Sequence, residues 1–192
     1  MRKNILKRLI DNLSGADLRK VRKDPMEIMG MKHPSEAAQL YVVKQNPEMI
    51  QFIGAPSEKV QLEVVRKDAS LIMLLDAPSE KVQLEAVRKD TGVFLYINKP
   101  TEKVRYAAVS ACADNIMYIS RPSEKLQISA VSQDCETVRY IEEPCEKAVI
   151  VALKENPGLF MHIHNSSPSR VITTLVEKDM EKKREVGKQE KV

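Results

Sequence analysis

The chain has 192 residues, 43% hydrophobic and 30% charged, with three Cys, six Gly, nine Met and no Trp. Those proportions suit one globular or elongated domain and exclude wholesale disorder, a collagen-like chain and a disulfide scaffold. The formal charge of +4 is local: residues 1–33 hold nine Lys or Arg against four Asp or Glu, residues 34–176 sixteen against eighteen, and residues 177–192 six against five. A uniformly basic nucleic-acid groove is therefore not expected. No run approaches the ~18 apolar residues that span a bilayer, and Met1-Arg2-Lys3 leads into no signal-like stretch, so no membrane segment is expected. Cys112, Cys135 and Cys145 lack regular spacing and read as free thiols in a reducing, cytoplasmic compartment.

Along the chain, Leu6, Leu9, Ile10 and Leu13 come first, helically spaced among Lys3, Lys7 and Arg8. This pattern predicts a polar outer cap for an array of repeats. A degenerate unit follows, with Leu18, Val21 and Asp24 where Leu62, Val65 and Asp68 stand later. Pro34, Pro56, Pro78, Pro100, Pro122 and Pro144 then recur at a period of 22, and Pro-Ser-Glu-Lys-Val-Gln-Leu occurs at 56–62 and again at 78–84. The expected organisation is one domain over 1–179. It comprises a basic cap and degenerate repeat at 1–33, six regular repeats over 34–166 and a half repeat at 167–179. A charged tail follows at 180–192.

Each unit, numbered from its proline, predicts two helices. Ser or Thr at place two is an N-cap, and Glu at place three suits the positive helix end. Apolar residues at places five, seven, nine and ten, such as Val82, Leu84, Ala86 and Val87, cover an arc of about 200°, wide enough for a helix sandwiched between layers. Lys at place four and the Arg-Lys pair at places eleven and twelve form the wet face. Place thirteen is Asp or Asn in most units and is followed by proline in Asp24-Pro25, Asn46-Pro47 and Asn156-Pro157, which starts a second, short, partly 3₁₀ helix. The expected fold is all-α, a right-handed α-solenoid of 22-residue two-helix repeats.

Two columns break the apolar logic. Gln39, Gln61, Gln83 and Gln127 share place six inside the apolar arc, and an unsatisfied buried amide costs ~1–3 kcal/mol, so they are expected to hold backbone groups between units. In the unit at 100–121, Arg105, Tyr106, Cys112 and Asn115 all depart from consensus. Asn115 replaces an apolar residue such as Leu71 or Val93, which predicts either a bend of the solenoid at this unit or a place serving a ligand.

The capped proline start, the Val-x-x-x-Val-Val run, the Asp/Asn-Pro turn and the short apolar helix resemble leucine-rich variant and HEAT-like repeats. Arrays built on Pro-Ser-Glu-x-Val-Gln-Leu also resemble repeats of bacterial and phage proteins. The unit is shorter than the leucine-rich variant repeat, and only Arg105 matches the Arg which that family places at place six. The iron–sulfur cluster of some members is not implied, since no Cys precedes Cys112.

No Gly-rich phosphate loop, HExxH helix, GxSxG elbow or Cys-x-x-Cys pair is present. His162, His164 and Cys145 form a near-constellation without a fourth ligand, so neither a metal site nor a cofactor is expected, and the chain reads as non-enzymatic. The expected function is macromolecular recognition with a protein partner. The phage-like resemblance implies one form of it, an inhibitor of a host enzyme or defence complex. Places eighteen and nineteen supply the candidate surface: Tyr96, Met117, Tyr118, Arg139, Tyr140 and His162, apolar side chains interrupted by polar tips and expected on the concave side. The alternative is nucleic-acid binding through Lys3, Lys7, Arg8, Arg19, Lys20, Arg22 and Lys23.

Overall fold

The computed structural model describes residues 15–166, and all regular structure among them is helical. Helix α1 (15–23) opens the chain. Short 3₁₀ helices and α-helices then alternate: η1 (Pro25–Gly30), α2 (Glu36–Gln45), η2 (Pro47–Phe52), α3 (Glu58–Lys67), η3 (Ala69–Leu74), α4 (Glu80–Lys89), η4 (Thr91–Tyr96) and α5 (Glu102–Ala111). The series continues with η5 (Ala113–Tyr118), α6 (Glu124–Gln133), η6 (Cys135–Tyr140), α7 (Glu146–Glu155), η7 (Pro157–Leu159) and α8 (Phe160–Ser166). Helices pack against their neighbours in sequence, in the manner of a helical repeat. The chain divides into two compact units between Ala108 and Val109, within α5. The terminal cap at 1–14, the half repeat at 167–179 and the charged tail at 180–192 lie outside the described residues.

One residue joins the two helices of each repeat. Asn46 has extended backbone (φ −138°); its N–H donates to Val42 O and ends α2, while its side chain accepts from Glu48 N and starts η2. Asp68, Asp90, Asp134 and Asn156 do the same for their units. Cys112 holds the same backbone, φ −153°, but makes no side-chain capping bond. At the long-helix start, the hydroxyls of Ser35, Ser57, Ser79, Thr101 and Ser123 each accept the N–H three residues on at 3.4 Å. Cys145 stands at this place before α7 and again caps nothing.

The core is a set of columns. Val42, Val43, Val60, Val64, Val65 and Val82 are fully buried on the long helices, and Ile28, Ile50, Ile72 and Ile116 on the short ones. Place nine is fully buried in every regular unit, as Val42, Val64, Ala86, Ala108, Ala130 and Ala152. Place seven is only half-buried in most units, so the buried arc is narrower than the sequence pattern predicts.

The glutamine column links adjacent repeats. Gln127 donates from Nε2 to its own Pro122 O at 2.9 Å, and its Oε1 accepts from Cys145 N of the next repeat at 2.7 Å. Gln39 bonds Pro34 O at 2.8 Å and accepts from Ser57 N at 3.4 Å. Asp17, at the same place in the degenerate unit, accepts from Ser35 N at 3.1 Å. Gln61 and Gln83 make the proline bond, yet their Oε1 atoms are buried without a partner. Arg105 carries donors only, so it cannot accept an N–H as glutamine does, and its Nε is buried without a partner.

Rungs of opposite charge line the solvent side. Lys59, Lys81, Lys103 and Lys147 lie 2.8–3.5 Å from Glu36, Glu58, Glu80 and Glu124 of the preceding repeat. These pairs are exposed and screened by solvent, so they add little to stability. Lys67 and Lys89 reach back to carbonyls that end the previous long helix, Lys44 O and Arg66 O. Asn115 is buried and not without a polar partner. In the next repeat Thr137 holds the same place, fully buried, with its hydroxyl donating to Asp134 O at 2.6 Å.

Candidate recognition surface on the short helices

The short helices split their side chains by place. In η3, Leu71 and Ile72 enter the core while Met73 and Leu74 face out; in η4, Val93 and Phe94 enter while Leu95 and Tyr96 face out. A 3₁₀ turn of three residues brings places i and i+3 to one side, which returns Leu75 and Ile97 to the side of Ile72 and Phe94. The following residue, such as Leu75, Ile97 or Ile119, is buried again and pins the end of the turn.

The exposed large hydrophobics among the described residues are Met26 and Met29 on η1, Phe52 on η2, Met73 and Leu74 on η3, and Leu95 and Tyr96 on η4 in the first unit, and Met117 and Tyr118 on η5, Tyr140 on η6 and Met161 on α8 in the second. The long helices contribute none. Of the residues singled out in the sequence, Tyr96 belongs to the first unit, exposed at 48%. Met117, Tyr118, Arg139 and Tyr140 belong to the second, with Tyr118 at 53% and Tyr140 at 48%. Arg139 is exposed, and its Nε donates to Glu136 Oε2 at 2.6 Å, an i,i+3 pair that holds the guanidinium along η6. His162 lies on α8 and is half-buried. Met29 on η1 carries no tyrosine beside it, but it stands at place eighteen of the degenerate unit, as Met73 and Met117 do in theirs, and that was the available signal.

The other candidates fare differently. Arg19, Lys20, Arg22 and Lys23 are exposed on α1 and, with Ala16, line an open depression of about 520 Å³. The Arg22 guanidinium also lies 5.9 Å from the Tyr41 ring centroid, a cation–π contact. Lys3, Lys7 and Arg8 lie outside the described residues. Among the described residues no group of three His, Cys, Asp or Glu converges as a metal would require, and the His164 side chain lies outside them. Burial, with the carboxylates of Glu155, Glu136 and Asp134 nearby, pushes the Cys135 thiol up, away from the thiolate a nucleophile needs.

No helix among the described residues is long and apolar enough to cross a membrane. No protein-family profile matches the chain, and no curated protein or solved structure shows significant similarity to it.

Proposed function

We propose that the protein is a non-enzymatic recognition module which binds a protein partner through the edge formed by its short helices. One observation carries this reading: in each compact unit the exposed large apolar side chains lie on the short helices, Met161 on α8 apart, while charged rungs line the long helices. Leaving a Met, Leu or Tyr half in water forgoes about 1 kcal/mol of burial energy per side chain, and a repeat protein that only had to fold gains nothing by doing so at successive places. Met and Tyr together suit an adaptable contact with a polar tip at its margin. The proposal takes the array as a right-handed solenoid of HEAT-like units.

The experiment is partner capture with the full chain and with Tyr118→Ala plus Tyr140→Ala, each with and without nuclease. Both tyrosines are about half exposed, so the double variant should lose at most about 1 kcal/mol of stability. Capture lost at unchanged melting supports the reading. A large fall in melting temperature, or undiminished capture, refutes it. Capture that disappears with nuclease and falls steeply with salt assigns the partner to nucleic acid and the surface to the α1 cations instead.

A further inference from the structure

We propose that the outward pairs of η2, η3 and η4 receive one amphipathic α-helix of the partner, with basic residues flanking its apolar seam; this rests on reading the short-helix edge as a recognition surface. Each layer offers two adjacent outward places, Gln51 with Phe52, Met73 with Leu74, and Leu95 with Tyr96. Consecutive short helices touch, η2 with η3 and η3 with η4, so the pairs form two parallel columns. Layers of packed helices lie about 8–10 Å apart. A heptad of α-helix rises about 10.5 Å and presents two side chains, a and d, next to each other. One heptad per layer therefore comes within about 0.5–1.5 Å of register for layers of 9–10 Å. A β-strand repeats one face about every 6.6 Å and falls about 2.4–3.4 Å short of the same layers.

Size points the same way. Phe52, Met73, Leu74, Leu95 and Tyr96 are 40, 59, 38, 49 and 48% exposed. At roughly 200 Å² of surface per large side chain they leave about 450 Å² open. That is near half of the ~800 Å² which each partner gives to a standard interface, and suits a single helix better than a globular face. Charge sets the flanks. In the stretches 46–55, 68–77 and 90–99, which hold η2, η3 and η4, the exposed acids are Glu48, Asp68, Asp76 and Asp90, four against one exposed cation, Lys99. These stretches are acidic although the chain as a whole is basic, so cations beside the seam complement them.

The test titrates the full chain, by fluorescence anisotropy, against three labelled peptides of about 21 residues, or three heptads. The first has Leu at a and d with Lys elsewhere; the second has Glu in place of Lys; the third scrambles the order of the first. The Leu/Lys helix should bind at least about tenfold tighter than either other probe. Met73→Ser with Leu95→Ser should weaken it about tenfold at unchanged melting temperature, and Phe52→Ser with Tyr96→Ser should repeat that effect. Equal affinity for ordered and scrambled Lys peptides, preference for the Glu peptide, or indifference to both variants overturns the proposal. If the probes fail in this way while capture of the native partner still depends on Tyr118 and Tyr140, the helix assignment falls and the recognition surface stands. If capture is also indifferent, both fall.

Discussion

Replacing Gln127 by Met keeps the length of the side chain and removes both ends of its link. The Nε2 bond to Pro122 O at 2.9 Å and the Oε1 bond from Cys145 N at 2.7 Å are lost together, in a site only 7% exposed. Leaving a carbonyl and an N–H unpaired costs about 1–3 kcal/mol each, and the apolar Met returns about 1 kcal/mol or more. The expected net loss is about 2–3 kcal/mol, or roughly 4–12 °C in melting temperature for a chain of this size. Gln61→Met is the internal control. Its Nε2 bonds Pro56 O at 3.0 Å, but its Oε1 is already buried and unpartnered, so Met removes one good bond and one orphan atom. That exchange should come out within about 0.5 kcal/mol of neutral. Urea unfolding followed by far-UV circular dichroism, with the m-value checked for constancy, reads both variants. Equal losses at the two sites, or a neutral Gln127→Met, would show that the link across repeats carries no stability and would refute the reasoning.

Three further outcomes follow from the local geometry. Cys112→Asp and Cys145→Ser each restore a cap that the other repeats possess, and each should stabilise by about 1 kcal/mol in thermal melts; no change at either place would mean the cap bond does not form there. Lys99 and Arg121 hold left-handed backbone, φ 54° and 52°, so Lys99→Gly should stabilise by about 0.5–1 kcal/mol, and a loss would show that the lysine side chain outweighs its backbone strain. The Ser79 hydroxyl and Lys81 hold the Glu58 carboxyl below its usual range, Thr101 and Lys103 do so for Glu80, Arg66 for Glu85, and the Ser70 side chain and N–H for Asp68. Because these folded-state values are depressed, the stability they lend is complete above the ordinary carboxylate values of 4.5 for Glu and 3.8 for Asp and is lost as pH falls below them. Melting temperature should be level from neutral pH to about 5 and then decline. A rise on acidification would contradict the assignment.

The repeat, its two helices and its caps were legible in the sequence because proline and capping residues act on backbone within three residues of themselves. What was missed depends on residues a full repeat apart. Nothing near Lys81 in sequence marks Glu58 as its partner, and nothing near Gln127 marks the N–H of Cys145. The left-handed backbone at Lys99 and Arg121 had no signal, since each precedes a proline and other repeats place alanine there without it. Asn115 stood out as a departure when read alone; Thr137, one repeat later, shows that a buried polar residue recurs at that place. Aromatic residues were ambiguous for a related reason: Phe94 is buried and Phe52 exposed, and only their places in the turn decide it. The outward stripe could be read because Tyr, Met, Gln and Arg share its columns, a mixture that a buried column would not tolerate.

The hydrogen bonds that tie one repeat to the next span only 18 to 24 residues, whether through glutamine, lysine or the capping hydroxyls. Such a chain has translational symmetry along its own sequence. Each layer closes a loop of the same length, so the entropic cost of adding a layer does not grow with the number already present. Low contact order of this kind favours fast folding that can begin at any unit. It also makes length a free variable: a 22-residue block cut at equivalent prolines, such as Pro56 and Pro78, can be removed or duplicated while the neighbouring long helix still meets Pro-Ser-Glu-Lys-Val-Gln-Leu.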